Sequence, residues 1–302
     1  MVQPDPKFHE YNGWSFSKYQ LWNKCQRAYY FQYIGSYIKS PQPFDSSKLY
    51  WLRKDLVPKV FIQGQIIHNV IENQLNRHKI GRDMDEASAI YQYTSKVKKY
   101  QETASSTVTE FFNGESADDS FFEGIAKSGT DQIQNFFHIV WPQFEGLEYV
   151  DHENKGKFSI NKTPVLLRPD YVSKTKTGLF VISDWKTGSD NEDFENDKQI
   201  ATYVLWAIYH YNLKPEEIRS ELIYLSSGKS KAFEFNCEQL EDTREFIQDN
   251  FALLNKTYEY DDFPPQSTQK NCKNCNFASI CDSRCENRIN SYDHLLVAKK
   301  KD

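Results

Sequence analysis

The sequence predicts an α/β (α+β) fold, a mixed β-sheet core flanked by helices, with a helical insert before the sheet and a cysteine-rich segment after it. Three observations lead there. Apolar residues follow helical spacing in the first half, as at Ile62, Ile66 and Val70. From 147 the texture changes to short apolar runs separated by turn signals. A long helical pattern then stands between those runs and two more strands.

Taken in order, 1–13 reads as an irregular lead-in. Ser17 and Gln20 form a possible capping box for a helix over 17–34, which Gly35 stops. Residues 36–58, with Pro41, Pro43 and Pro58, read as a loop or short pieces that could cover a site. A second helix over 60–79 carries Ile62, Ile66, Val70 and Leu75, with Ile67 and Ile71 beside them. Helix is expected through 84–112 and 118–140, with no chemistry of its own. Strands follow at 148–151, 157–160, 165–172 and 179–184. Ser189 and Glu192 make a capping box for a helix over 191–212. Strands at 219–225 and 231–235 and a helix at about 238–256 complete the pattern.

The 302 residues suffice for a real core. Apolar residues at 39% and charged residues at 26% fit a soluble globular chain. No apolar stretch is long enough for a bilayer span, and the first residues lack signal-peptide character. A cytoplasmic protein without a membrane partner is the expectation, and its six cysteines should then be reduced ligands rather than disulfides. The net charge of −5 means that any polyanion must be met by a local groove. Aromatics at 15% supply core mass or stacking surfaces.

The most informative stretch is Arg168-Pro169-Asp170-Tyr171-Val172, a turn, then Ser183-Asp184-Trp185-Lys186-Thr187-Gly188. It reads as a hairpin with a carboxylate in each strand. Alternation along a strand puts Asp184 and Lys186 on one face. Two carboxylates suit a hard cation such as Mg²⁺ or Mn²⁺, and the backbone carbonyl of Trp185 would add a ligand. A bound cation polarises a phosphoryl oxygen and activates water, while a lysine offsets developing charge. By itself an Asp-x-Lys at a strand end is ordinary turn chemistry, so the case rests on its companions. Gln199 and Tyr203 share a helix face four residues apart. Gly64, His68 and Glu72 share another. A neutral His68 suits Mn²⁺ or Fe²⁺; Glu72 is the weaker candidate.

The order Gly64–His68, Asp170, Asp184–Lys186 with Thr187-Gly188, then Gln199–Tyr203 resembles the RecB-type branch of the PD-(D/E)XK nuclease superfamily. The resemblance implies a restriction-endonuclease-like core. It implies metal ligation by His68, Asp170, Asp184 and the Trp185 carbonyl. It also makes Lys186 the catalytic lysine, with Gln199 and Tyr203 assisting. Residues 80–145 match nothing in that pattern.

Cys272-Lys-Asn-Cys275, Cys281 and Cys285 have the spacing of metal ligands. All four would make a Zn²⁺ knuckle; alternatively the fourth ligand is Cys25, on the first helix. A distant cysteine before C-x₂-C-x₅-C is similar to the iron–sulfur nucleases of the Cas4, AddB and exonuclease five type. That resemblance implies a [4Fe–4S] cluster on Cys25, Cys272, Cys275 and Cys281. Cys237 is isolated. Such a clip would close a very long loop.

On this reading 1–302 is a single nuclease domain. Residues 14–35 carry one cluster ligand, 60–145 the helical region with His68, 146–236 the catalytic sheet core, and 237–302 the last helix and the cysteines. Gly228-Lys229-Ser230 is no P-loop, because the glycine required five positions earlier is Ile223. The Asn255 sequon has no meaning in a cytoplasmic protein. Lys96, Lys98, Lys99 and Lys299–Lys301 read as solvated faces. The expected activity is metal-dependent cleavage of DNA, in exonuclease mode at ends or single strands. Two rivals stand beside it: a binding module with an inert acid cluster, and a scaffold subunit for a helicase or integrase-like partner.

Overall fold

The structure is a computed structural model that describes residues 13–37, 46–153, 155–189, 196–256 and 259–284. Helix α1 (Phe16–Lys24) starts at Ser15, whose hydroxyl accepts from the Lys18 amide at 3.4 Å. Cys25 then adopts extended backbone (φ −168°), and α2 (Gln26–Tyr33) begins anew. The single helix expected over 17–34 is therefore two, and its cap is Ser15 rather than Ser17. The loop expected over 36–58 contains α3 (Ser46–Asp55), because Leu49, Leu52 and Leu56 follow helical spacing and are buried. Residues 38–45 of that stretch lie outside the described residues.

Helix α4 (Lys59–Lys79) buries Ile62, Ile66, Ile67, Val70, Ile71 and Leu75. Asp85 caps α5 (Glu86–Glu102) and Asp118 caps α6 (Asp119–Asn135), each accepting a first-turn amide at 2.9 Å. The helix expected over 84–112 breaks at Thr103 and Val108. Val108 is drawn into a parallel bridge with Val57, which no helix can make. Past α6 the chain continues through a π turn (Phe136–Val140) and a 3₁₀ turn (Trp141–Phe144). Helix α7 (Asn196–Tyr211) falls within the expected 191–212, and residues 190–195, with Glu192 of its expected capping box, lie outside the described residues. Asn236 and Gln239 form a capping box for α8 (Cys237–Leu254), each bond 2.9 Å.

The sheet is mixed. Strands β1 (Glu148–Asp151), β4 (Tyr171–Lys174), β5 (Phe180–Lys186), β6 (Ile218–Tyr224) and β7 (Lys229–Phe233) lie in the order β1-β4-β5-β6-β7. Only β5 and β6 run parallel, joined by α7. Strands β2 (Gly156–Ile160) and β3 (Thr163–Leu167) form a separate hairpin. The strand expected over 165–172 is thus interrupted. Pro169 cannot donate to a ladder, and Arg168–Asp170 bridge two different sheets. Trp14 covers the free side of β3: its amide donates to Pro164 O and its carbonyl accepts from Leu166, both at 2.8 Å. Gly13 allows this approach, since a Cβ there would stand 2.8 Å from Leu166 Cγ.

Alternation gives the sheet two apolar faces. Val172, Ile182 and Leu222 pack into one core with α1, α2, α7 and α8. Tyr171, Trp185 and Ile223 pack into the other with α4, α5 and α6. Phe136 and Phe144 meet the Trp185 ring edge-on at 5.7 and 5.6 Å. Both helical layers converge at the end of β5.

Candidate active site

Asp184 and Lys186 follow Ile182 on the α7 side of β5. The Lys186 ammonium stands 2.7 Å from Asp184 Oδ2 and donates to Gln199 Oε1 at 3.1 Å. Gln199 Nε2 donates to the Tyr203 hydroxyl at 2.8 Å, and that hydroxyl donates to Asp184 Oδ1 at 3.2 Å. Four side chains close a ring, so each fixes the next. Gln199 and Tyr203, one turn apart on α7, thereby hold the acid and the lysine in place. Burial opposes the Lys186 charge, but the Asp184 carboxylate outweighs it and raises the pKa. Burial, then the charges of Asp184 and Asp170, push the Tyr203 phenol well above its usual range, so it stays a donor.

Asp170 precedes β4 rather than lying in a strand. Its Oδ2 accepts from the Trp185 amide at 2.7 Å, a charge-assisted bond that ties it to β5. Its Oδ1 lies 3.2 Å from His68 Nδ1. Trp185 thus reaches the site through its amide, while its ring belongs to the opposite core. Glu153, which the sequence reading did not single out, completes the group: its Oε1 lies 3.6 Å from His68 Nδ1. The ligand atoms of His68, Glu153 and Asp170 all lie within 4.8 Å of one another, the one such group among the described residues. Asp184, expected as a ligand beside His68 and Asp170, is not in it; its carboxylate is held by Lys186 and Tyr203.

Glu153 sits just beyond β1 with φ +47°, an uncommon conformation for a residue with a side chain. Its amide donates to Pro169 O at 2.9 Å, clipping the end of β1 to the Asp170 loop. Arg168 is the fastener between elements. Its Nε lies 2.7 Å from Glu153 Oε2, and its Nη2 lies 3.0 Å from Glu72 on α4, one turn past His68. Glu72 is therefore bound to Arg168. At His68 burial disfavours the charged ring. The neighbouring carboxylates, Asp170 foremost, outweigh that and hold its pKa well above the ordinary value. Burial raises Glu153, with the Asp170 charge adding to it.

The Gly64–His68 spacing has a steric reason. A Cβ on Gly64 would stand 2.9 Å from Thr187 Oγ1, so only glycine lets α4 approach the loop after Lys186 this closely. These residues line a cleft of about 1140 Å³, joined by Lys96 and Tyr100 from the helical insert. That insert therefore contributes a wall, which its sequence did not reveal. Nitrogen and oxygen donors of this kind fit Mg²⁺ or Mn²⁺.

A second cluster gathers the chain's two ends. Cys25, Cys272, Cys275 and Cys281 are half-buried and form no disulfide among the described residues. Cys275 feels the other three; burial first, and then these neighbours, push its thiol up to about 12. The ends are also fastened without sulfur. Arg27 Nε donates to Phe263 O at 2.8 Å, the Gln26 amide to Gln266 at 2.9 Å, and Asn271 to Lys24 O at 2.8 Å. Soft, half-buried thiols of this kind suit a metal or cluster. Cys237 lies apart and exposed at the start of α8. Cys285 and Lys299–Lys301 lie outside the described residues. Gly228 ends the β6–β7 turn at φ +70°, and Lys229 and Ser230 begin β7. No helix of the described residues is long and apolar enough to cross a membrane.

Comparison with known proteins gives a family match. The family model described as the PD-(D/E)XK nuclease superfamily matches residues 13–282. No curated protein matches the sequence. Among solved structures, the crystal structure of SSO0001 is 12% identical over 63% of this chain and 82% of that one. Its TM-score of 0.31 is too low to carry an argument.

Proposed function

The chain belongs to the PD-(D/E)XK nuclease superfamily, and from that premise we propose that it is a Mg²⁺- or Mn²⁺-dependent DNA nuclease of the RecB-like branch. The observation that carries the reading is the tight His68–Glu153–Asp170 group beside the Asp184–Lys186 pair, in one cleft. His68, Glu153 and Asp170 would hold the cation, with Asp184 and the Trp185 carbonyl, expected as ligands from the sequence, beside them. When bound, that cation polarises the scissile phosphate and favours a nucleophilic water at neutral pH. Lys186 meets the charge that grows on the phosphate. Gln199 and Tyr203 keep its ammonium and the Asp184 carboxylate aimed into the cleft. Arg168 holds the helix of His68 to the loop of Asp170, so the donors are arranged before a substrate arrives.

The cysteine quartet Cys25, Cys272, Cys275 and Cys281 would hold a [4Fe–4S] cluster as a clasp, with Zn²⁺ as the alternative occupant. The preferred mode is exonucleolytic, on DNA ends or single strands. The experiment is cleavage of linear and circular DNA, with Mg²⁺ and Mn²⁺ in turn, by the intact protein and by Asp170→Asn. Cleavage of linear strands that the variant loses, while both proteins still bind DNA, is the expected result. Binding without cleavage by the intact protein under every condition would make it a binding module instead. An anaerobically purified sample should be brown, absorbing near ~400 nm; a colourless protein with bound zinc would replace the cluster with the knuckle.

A further inference from the structure

We infer that Phe61 is a base-stacking platform for single-stranded DNA, set on the ridge between the candidate active-site cleft and a second, cationic groove. The inference rests on the nuclease reading and gives it a substrate form. Phe61, Gln65, His68 and Glu72 share the cleft-facing side of α4. Phe61 is 55% exposed and its neighbour Val60 is 65% exposed, so one apolar edge of the cleft lining stands open. Seven helical residues place Phe61 about 10 Å along the axis from His68. That leaves room for two or three nucleotides at the ~3.4 Å spacing of a stacked strand.

The ridge has a groove on its other side. Ser17, Phe61 and Gln65 line both the cleft and a space of about 430 Å³ whose lining also includes Cys25, Cys272, Cys275 and Cys281. Lys24, Arg27, Arg53 and Arg284 line that space, and none of the described residues lining it is a carboxylate. In a chain of net charge −5 such a one-sided lining is a local arrangement. Part of it is engaged: Arg27 is buried, pairs with the exposed Asp282 3.3 Å away and stacks on Tyr260, and Arg53 stacks on Tyr37, which leaves Lys24 and Arg284 as the more open charges. The groove offers charge for phosphates and the ridge a ring for a base. Bases inside a duplex are already stacked and have no free face for Phe61. Unpaired bases do, so the ridge selects single strands.

The test places 2-aminopurine at successive positions of a short single strand and measures fluorescence and affinity with metal-free protein. The intact protein should quench the probe at one position, a few nucleotides from the bond it cuts when metal is restored. Phe61→Ala should lose that quenching and bind the strand about fivefold more weakly or worse, from the lost stacking. Phe61→Trp should keep both, and affinity for closed circular duplex should not change in either variant. If Phe61→Ala quenches and binds as the intact protein does, this inference is overturned while cleavage still supports the nuclease. If the strand is bound and quenched but never cut, the nuclease reading fails and the platform stands. If the intact protein does not bind single strands but cuts duplex ends, the platform falls and the nuclease reading stands; if it binds and cuts neither, both fall.

Discussion

The carboxylate–imidazole centre and the cysteine centre are built by opposite means. In the first, the protein itself holds every donor: the Trp185 amide holds Asp170, Arg168 holds Glu153, and Tyr203 with Lys186 holds Asp184. Its shape exists before any ion arrives. In the second, backbone and amide contacts bring residues 25 and 266–272 together, and the Gln266 amide donates to Cys25 Sγ at 3.4 Å. One centre can exchange its occupant and keep its form, as a reaction site must. On the proposed reading, the other would be completed by its occupant, as a clasp is.

Lys186→Ala should show the largest effect. Cleavage should fall by about a hundredfold or more, the scale of losing a charge-stabilising donor, while binding of DNA measured by anisotropy is retained. A loss of cleavage that merely tracks a loss of binding would remove Lys186 from the chemistry. Next comes Cys275→Ser. If the clasp reading holds, stability should drop by on the order of 3 kcal/mol, the scale of reopening a long closed loop. Calorimetric Mn²⁺ affinity of the carboxylate centre should be unmoved. A joint loss of stability and Mn²⁺ affinity would erase the distinction between the centres.

The smallest effect is one of pH. Burial works against a charged His68, but Asp170 and Glu153 outweigh it and raise the pKa, so the metal-free ring holds its proton to higher pH than a free imidazole. A cation needs the neutral ring. Affinity for Mn²⁺ should therefore rise as pH climbs toward and through that raised value, with proton release on binding. Calorimetry in two buffers of different ionisation enthalpy measures it. A pH-independent affinity with no proton released would take His68 out of the ligand set.

What could be read in the sequence was whatever local periodicity encodes. Asp184 and Lys186 sit two apart on a strand, and Gln199 and Tyr203 four apart on a helix; each pair is juxtaposed in the structure. Gly64 and His68 are four apart on α4, and there the spacing has a steric cause at Thr187. Glu153 and Arg168 follow no such rule. Glu153 arrives through a left-handed residue after β1, and Arg168 joins three elements distant in sequence. The acidic run Asp151-His152-Glu153 at a strand end was the available signal. The break at Cys25 was hidden as well, because 17–34 carries a continuous helical pattern and the extended turn follows from contacts with the far end of the chain.

Trp14 and Gly13 occupy the outer margin of the β2–β3 hairpin. An uncovered strand margin is a template for another molecule's backbone. Proteolytic trimming that removed these two residues would leave the Pro164 carbonyl and Leu166 amide open to a neighbouring chain. A clipped sample would then turn sticky, and shelf life would hinge on how its first residues were handled.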